Sequence, residues 1–117
     1  MHPNPIIVYG IKNCDSIKKA MAWLDQHQIA YRFHDYRVDG LEPSLLRQFV
    51  DNLGVDAILN RRSTSWRQLN DEQKSDLSFE KSLQLMLENP TLIKRPIVSI
   101  AGQLFVGFDP DHYSVLS

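Results

Sequence analysis

Cys14, in the stretch YGIKNCDSIKKAMAWL, is the single cysteine of a 117-residue chain, and it stands where an apolar run ends and a helical pattern begins. A thiol reacts as its thiolate, and a free cysteine ionises only at a pKa of about 8.5. A place at a helix start favours the anion. The unpaired amides of Ser16 and Ile17 would point toward the sulfur, and the helix dipole adds positive potential there. Lys18 lies one turn on, Lys12 precedes, and Ser16 adds a hydroxyl. Asp15 opposes them, because a carboxylate beside a thiolate disfavours it; its side chain is expected to point to solvent. The alternative reading of Cys14 is a small, inert apolar residue packed near a turn.

Cations form the second set of candidates. NRRS carries Arg61 and Arg62, and LIKRPIVSI carries Lys94 and Arg95. A guanidinium group binds oxyanions and carboxylates through two parallel hydrogen bonds, so Arg61, Arg62 and Arg95 are candidate substrate-binding residues. Arg61, Arg62 and Arg67 equally fit a solvated basic loop. Arg95 is distinct, because it directly precedes Pro96 at the opening of an apolar strand-like run. His2, His27, His34 and His112 lack metal-ligand spacing, so no metal site is expected, and Trp23 and Trp66 fit packing roles. One cysteine makes no internal disulfide, and no cysteine pair exists for a structural zinc site.

The elements that must position these residues follow from pattern. IIVYG (Ile6 to Gly10) is a β-branched apolar run closed by glycine, which predicts a buried strand. From Asp15 the period changes: Ile17, Ala20, Met21, Leu24 and Gln28 fall on one helical face. IAYRFHDYRV alternates and predicts a second strand, parallel to the first across the intervening helix. Pro43 opens a helix with a stripe of Leu46, Phe49, Val50 and Leu53, and Gly54 stops it. VDAILN predicts a short helical turn, and RRSTSWRQL a loop leading to another turn. Asp76 or Ser78 caps a further helix with Phe79, Leu83, Met86 and Leu87 inward, ended by Asn89-Pro90. IVSI and LFVGF flank Ala101, Gly102 and Gln103 as a hairpin, with Gly102 taking the positive φ that a tight turn needs. Asp109 and Pro110 begin a terminal helix. The predicted fold is α/β and thioredoxin-like: a mixed four-stranded sheet with a helical insertion at about 42–89, in a single domain spanning 1–117.

Composition bounds the function. Apolar residues are 43% and charged residues 23%, with a net charge of -1 and a pI of about 6.4. That balance gives no footprint for direct nucleic-acid or acidic-membrane binding. No apolar run approaches the roughly 20 residues of a membrane helix, and the N-terminus lacks a signal-peptide pattern. A cytoplasmic, reducing setting and a monomer are the expectations.

YGIKNCDSIKKA, DAILNRRST, the segment from Leu87 to Val98 and the following hairpin together resemble the arsenate reductase (ArsC/Spx) family, and within it the YffB-like branch. The resemblance runs along nearly the whole chain, and NPTLIKRPIV is its most specific piece. It implies a thioredoxin-like fold, Cys14 as nucleophile, a cis Pro96 facing the helix that carries the thiol, and glutathione with glutaredoxin as reductants. No bound cofactor is expected. Of the three oxyanion-binding arginines of the arsenate reductases, one corresponds to Arg95. A second falls at Asn60 with Arg61 beside it, and the third has no counterpart, since no Lys or Arg follows Arg95. Phe105, Phe108, Asp109 and Asp111 occupy that region instead, so arsenate is expected to bind poorly. The regulators of the family bind the RNA polymerase α subunit and sense oxidation through C-x-x-C. Here Cys14-Asp15-Ser16-Ile17 lacks the second cysteine. The resemblance therefore implies a one-cysteine, glutathione-dependent thiol reductase, with a polymerase-binding interaction protein as the alternative.

Overall fold

The strand Ile6–Gly10 (β1) is the centre from which the site is built. The computed structural model describes residues 6–12, 14–107 and 109–112, and the backbone divides into two compact units. The first comprises the described residues of Met1–Gly40 and Arg95–Ser117; the second is Leu41–Lys94.

In the first unit, β1 is followed by helix α1 (Asp15–Gln26) and strand β2 (Tyr31–Asp35), and after the second unit come β3 (Ile97–Ile100) and β4 (Gln103–Val106). The strand order is β2-β1-β3-β4. β1 pairs with β2 in parallel, Gly10 opposite Asp35, and with β3 antiparallel, Val8 opposite Val98. The mixed sheet is the one expected, with α1 as the crossover that a parallel pair requires. Ile17, Ala20 and Leu24 make the buried stripe of α1. Ile17 and Leu24 pack with Ile6, Val8, Val98 and Ile100, and the half-buried Cys14 lies against this cluster. Each such side chain taken fully from water contributes about 1.5–3 kcal/mol. Gln28, placed on the helical face by its spacing, lies past the end of α1 with φ 55. β2 is shorter than the alternation implied. The Asp35 carbonyl accepts from the amides of Val38 and Asp39, which bends the chain into a turn.

β3 and β4 form the predicted hairpin. Gln103 belongs to β4, opposite Ile100, so the turn is the two residues Ala101 and Gly102, with φ 51 and 84. A two-residue turn with both φ values positive matches the twist of the strands and favours Asn-Gly, whereas alanine there is strained by its Cβ. Ala101→Asn is therefore expected to raise stability by about 0.5–1 kcal/mol, read as a shift of the urea unfolding midpoint at unchanged slope. At the C-terminal end, Asp109 turns the chain. Its carboxylate accepts from the Asp111 amide (3.0 Å) and its carbonyl from the His112 amide (3.0 Å). The remainder of the expected terminal helix, 113–116, lies outside the described residues, as do His2 and Phe108.

The second unit is helical: α2 (Pro43–Leu53), α3 (Val55–Ile58), α4 (Thr64–Arg67), α5 (Asp71–Lys74) and α6 (Phe79–Glu88), then a 3-10 turn (Pro90–Leu92). Gly54 closes α2 as predicted. α4 and α5 are two single-turn helices where a loop and a turn were expected. Ser63 caps the first, and a reciprocal Asn70–Gln73 capping box the second. Ser78, rather than Asp76, caps α6 by accepting from the Lys81 amide. Leu83, Leu85 and Met86 are its buried apolar residues, whereas Phe79 is 39% exposed. The Arg47 guanidinium lies 5.2 Å from the centre of the Phe79 ring and pairs with Glu80 at 3.0 Å. A first-turn aromatic covered by a cation on its outer side replaces the inward Phe79 of the expected pattern. Among the described residues, no helix is long and apolar enough to cross a membrane.

Candidate active site around Cys14

Cys14 is the N-cap of α1. Its backbone is extended (φ -92, ψ 133) and its carbonyl accepts the first intrahelical bond, from the Lys18 amide at 3.0 Å. At an N-cap the side chain is directed toward the free amides of the first turn. The sulfur closes no cap hydrogen bond among the described residues, yet the nearby Ser16 and Ile17 amides still favour its anion. The Ser16 hydroxyl lies 3.2 Å from the sulfur and donates to the Arg95 carbonyl at 3.1 Å. Burial is the largest single influence on the thiol and pushes its pKa up. The Ser16 hydroxyl, the Ile17 and Ser16 amides and the Arg95 guanidinium together outweigh it, so the thiol is held below its ordinary value. Asp15 is exposed, as expected.

Gly10 leaves room for Ile17 at this point, while Arg95 passes at ordinary contact distance. A Cβ on Gly10 would stand 3.9 Å from the Arg95 Cγ and only 2.3 Å from the Ile17 Cδ1. The Arg95–Pro96 bond is cis, as the resemblance implied, and Pro96 is buried. The Arg95 charge is also felt by Tyr36, whose amide continues the parallel ladder by donating to the Gly10 carbonyl at 2.9 Å. Burial, with the Tyr9 hydroxyl adding to it, pushes the Tyr36 phenol well up, and Arg95 pulls against both. The buried Tyr36 hydroxyl has no hydrogen-bond partner among the described residues. The first unit thus brings together Cys14, Ser16 and Arg95 beside Gly10, at the edge where β1 runs into α1. In open α/β sheets this carboxyl edge of the strands is the usual place for ligands. Lys18 is exposed one turn along α1.

The Asp35 side chain was missed by sequence reasoning. It is buried at the end of β2 and accepts from the Lys12 amide (3.3 Å) and the Arg37 amide (2.9 Å), which tethers the loop leading to Cys14. DYRVD carries a signal for the turn half of this arrangement, since aspartate accepts readily from the amide two residues on. His34 gives its Nε2 to the Gly40 carbonyl at 2.8 Å and lies against the Tyr9 ring.

Arg61 and Arg62 belong to the second unit. A short ladder holds their segment: Leu59 bridges Ile93, the Asn60 amide donates to Leu92 and the Lys94 amide to Ile58, each at 2.7 Å. Asp56, Leu59, Asn60, Arg61, Arg62 and Lys94 line a cleft of about 410 Å³. Arg61 pairs with Asp56 at 3.4 Å and lies over the Trp66 ring, and the Arg62 amide donates to the Asn60 side chain at 3.0 Å. An exposed pair of this length is worth about 0–1 kcal/mol, so Arg61 is readily taken over by a competing anion.

Comparison with known proteins gives the family. The profile of the ArsC family matches residues 9–116. The chain belongs to the ArsC family. An uncharacterised protein of Haemophilus influenzae is 48% identical over 108 residues, 92% of this chain and 95% of that one. The global transcriptional regulator Spx of Lactiplantibacillus plantarum is 31% identical over 108 residues, 91% of this chain and 81% of its own. Among solved structures, the YFFB (PA3664) protein superposes with a TM-score of 0.87 at 44% identity, covering 94% of this chain and 96% of that one. An arsenate reductase (ArsC) related protein of Brucella melitensis gives 0.77 at 39% identity, covering 97% and 94%. The fold is thioredoxin-like, and YffB, arsenate reductases and Spx regulators are this ArsC-family chain's relatives.

Proposed function

We propose that this ArsC-family chain is a one-cysteine thiol oxidoreductase that uses glutathione as co-substrate. The observation that carries the reading is the Cys14 sulfur, held toward its anion by the Ser16 hydroxyl, two first-turn amides and Arg95. The thiolate attacks one sulfur of a disulfide. A Cys14–substrate disulfide forms and the other sulfur leaves as a thiolate. With one cysteine in the chain, an external thiolate must resolve that bond. Glutathione attacks the substrate-side sulfur, forms a disulfide with it and releases the Cys14 thiolate. The amides at the start of α1 stabilise the sulfur anion at both ends of the cycle. Arg95 offers its guanidinium to a carboxylate or oxyanion, and in the second unit the Arg61–Arg62–Lys94 cleft offers the same chemistry. A cytoplasmic setting suits a reaction that consumes reduced thiol.

Incubation with oxidised glutathione, followed by intact-protein mass spectrometry, tests this. One glutathionyl adduct on Cys14 is expected at neutral pH, reversed by reduced glutathione. Absence of the adduct, together with a thiol that titrates like free cysteine, ends the reading.

The curated relatives named as Spx regulators favour a second reading, in which the chain is an interaction protein for the RNA polymerase α subunit. It would work without a C-x-x-C switch. Capture of the α C-terminal domain by both the wild type and Cys14→Ser would support the second reading over the first. Arsenate reduction is the weakest candidate, because no cation follows Arg95 to complete a three-arginine clamp.

A further inference from the structure

The Ser16 hydroxyl touches two groups but carries one proton. Its oxygen is 3.2 Å from the Cys14 sulfur and 3.1 Å from the Arg95 carbonyl oxygen, 79 residues away in the chain. A carbonyl only accepts. A thiol donates and accepts weakly, whereas a thiolate only accepts and does so strongly. With the sulfur protonated, both contacts are satisfied in one direction: S–H donates to Ser16 Oγ, and Ser16 O–H donates to Arg95. Once the sulfur is an anion, it and the carbonyl compete for the same proton, and the charge-assisted bond is the stronger.

We propose that Ser16 is a positioning residue that couples the charge of Cys14 to the backbone of Arg95, its single proton going to the Arg95 carbonyl when the sulfur is neutral and to the sulfur when it is a thiolate. The inference rests on reading Cys14 as the working thiol. In the cycle described above, the contact between α1 and the Arg95 segment is then released only in the attacking state. It closes again in the mixed disulfide, where the sulfur is neutral and lacks a proton. The nucleophile would thereby loosen the arginine that receives the substrate's anionic group just when substrate must enter.

The other charges around the sulfur do not reproduce this coupling. The Arg95 guanidinium favours the anion through space. On α1, Asp15 and Lys18 are exposed, and in the preceding loop Lys12 is exposed while its amide is held by Asp35 of β2. Tyr36, at the end of β2, feels Arg95 as well. None of these groups has a proton shared between the sulfur and the Arg95 carbonyl.

The test is a pH titration followed by carbon-detected NMR, correlating the Arg95 carbonyl carbon with the Pro96 nitrogen, alongside ultraviolet absorbance of the thiolate. In the wild type the carbonyl shift is expected to move through one inflection coincident with thiol ionisation. Ser16→Thr should keep that inflection. Ser16→Ala and Cys14→Ser should lose it, while the Ser16→Ala thiol should ionise at higher pH than the wild type. A carbonyl that tracks the thiol equally well in Ser16→Ala, or that ignores thiol ionisation in the wild type, overturns the proposal. No glutathione is present, so a failed adduct experiment and a failed coupling experiment are separate results.

Discussion

The Gly10→Ala variant is expected to lose about 1–2 kcal/mol of stability and to carry a less acidic thiol. The two links have one cause. Gly10 has an ordinary strand conformation, so alanine would be free of backbone strain and would gain about 0.5–1 kcal/mol through the less flexible unfolded chain. Against that stands the contact. The new Cβ would sit 2.3 Å from the Ile17 Cδ1 and 3.0 Å from its Cγ1. Ile17 is fully buried among Val8, Leu24, Val98 and Ile100, so its side chain has nowhere to swing. Overpacking of this kind costs about 1–3 kcal/mol, which exceeds the gain. The relief falls on α1, which must move outward from its first turn. The Ile17 amide is one of the two first-turn amides that lower the Cys14 pKa. Moving it weakens the anion, so the thiolate absorbance step shifts to higher pH. The check on the cause is a double-mutant cycle. Ile17→Val alone should cost about 0.5–1.5 kcal/mol by leaving a void. In Gly10→Ala/Ile17→Val the new methyl fills the space of the missing Cδ1, and the pair should be more stable than the sum of the two losses by about 1 kcal/mol or more. Additive losses would show that the clash is not what destabilises Gly10→Ala.

Much of this frame is legible in the residues themselves. The β-branched run before Gly10 and the change of period at Asp15 place a strand end and a helix start on either side of Cys14, and the N-cap role follows from that junction. The hairpin was legible because Gly102 marks the turn, although Ala101 at φ 51 was not, since alanine carries no preference for that conformation. Short helices were the harder elements. Thr64–Arg67 and Asp71–Lys74 are too brief to show a periodic apolar face, and only their caps betray them. The Asn70–Gln73 pair was in plain view as a capping box. Phe79 was misassigned because spacing alone cannot tell an inward aromatic from one that stays at the surface under Arg47. The double contact of Ser16 was hidden for a different reason. One of its partners is 79 residues away, and only the pairing of β1 with β3 brings the Arg95 segment to the start of α1. Local pattern names candidates; which of them share a proton is decided by tertiary structure.

Asp35 shows the same limit, and its removal should have the larger effect of any change in the first unit outside the apolar core. Asp35→Ala is expected to cost about 2–3 kcal/mol, because it removes a buried, charged acceptor from the Lys12 and Arg37 amides. Asp35→Asn should cost roughly half as much, since its amide carbonyl still serves one of the two donors while its NH₂ group faces the other. The consequence for the thiol separates two physical accounts. If the Asp35 carboxylate mattered as a charge, deleting it would ease formation of a nearby anion and the thiol would become more acidic. If it matters as a tether, deleting it frees Lys12 and the loop that delivers Cys14 to the helix start. The sulfur then loses the alignment with the Ser16 and Ile17 amides that offsets its burial. The charge that bears on Cys14 is Arg95, and Asp35 is joined to this loop through a backbone amide at 3.3 Å. The tether is therefore expected to dominate. Asp35→Ala should raise the pH at which the thiolate appears and slow adduct formation at neutral pH, although a negative charge has been removed. A thiol made more acidic by the same substitution would show that the loop holds its shape without Asp35 and that the carboxylate acts through space.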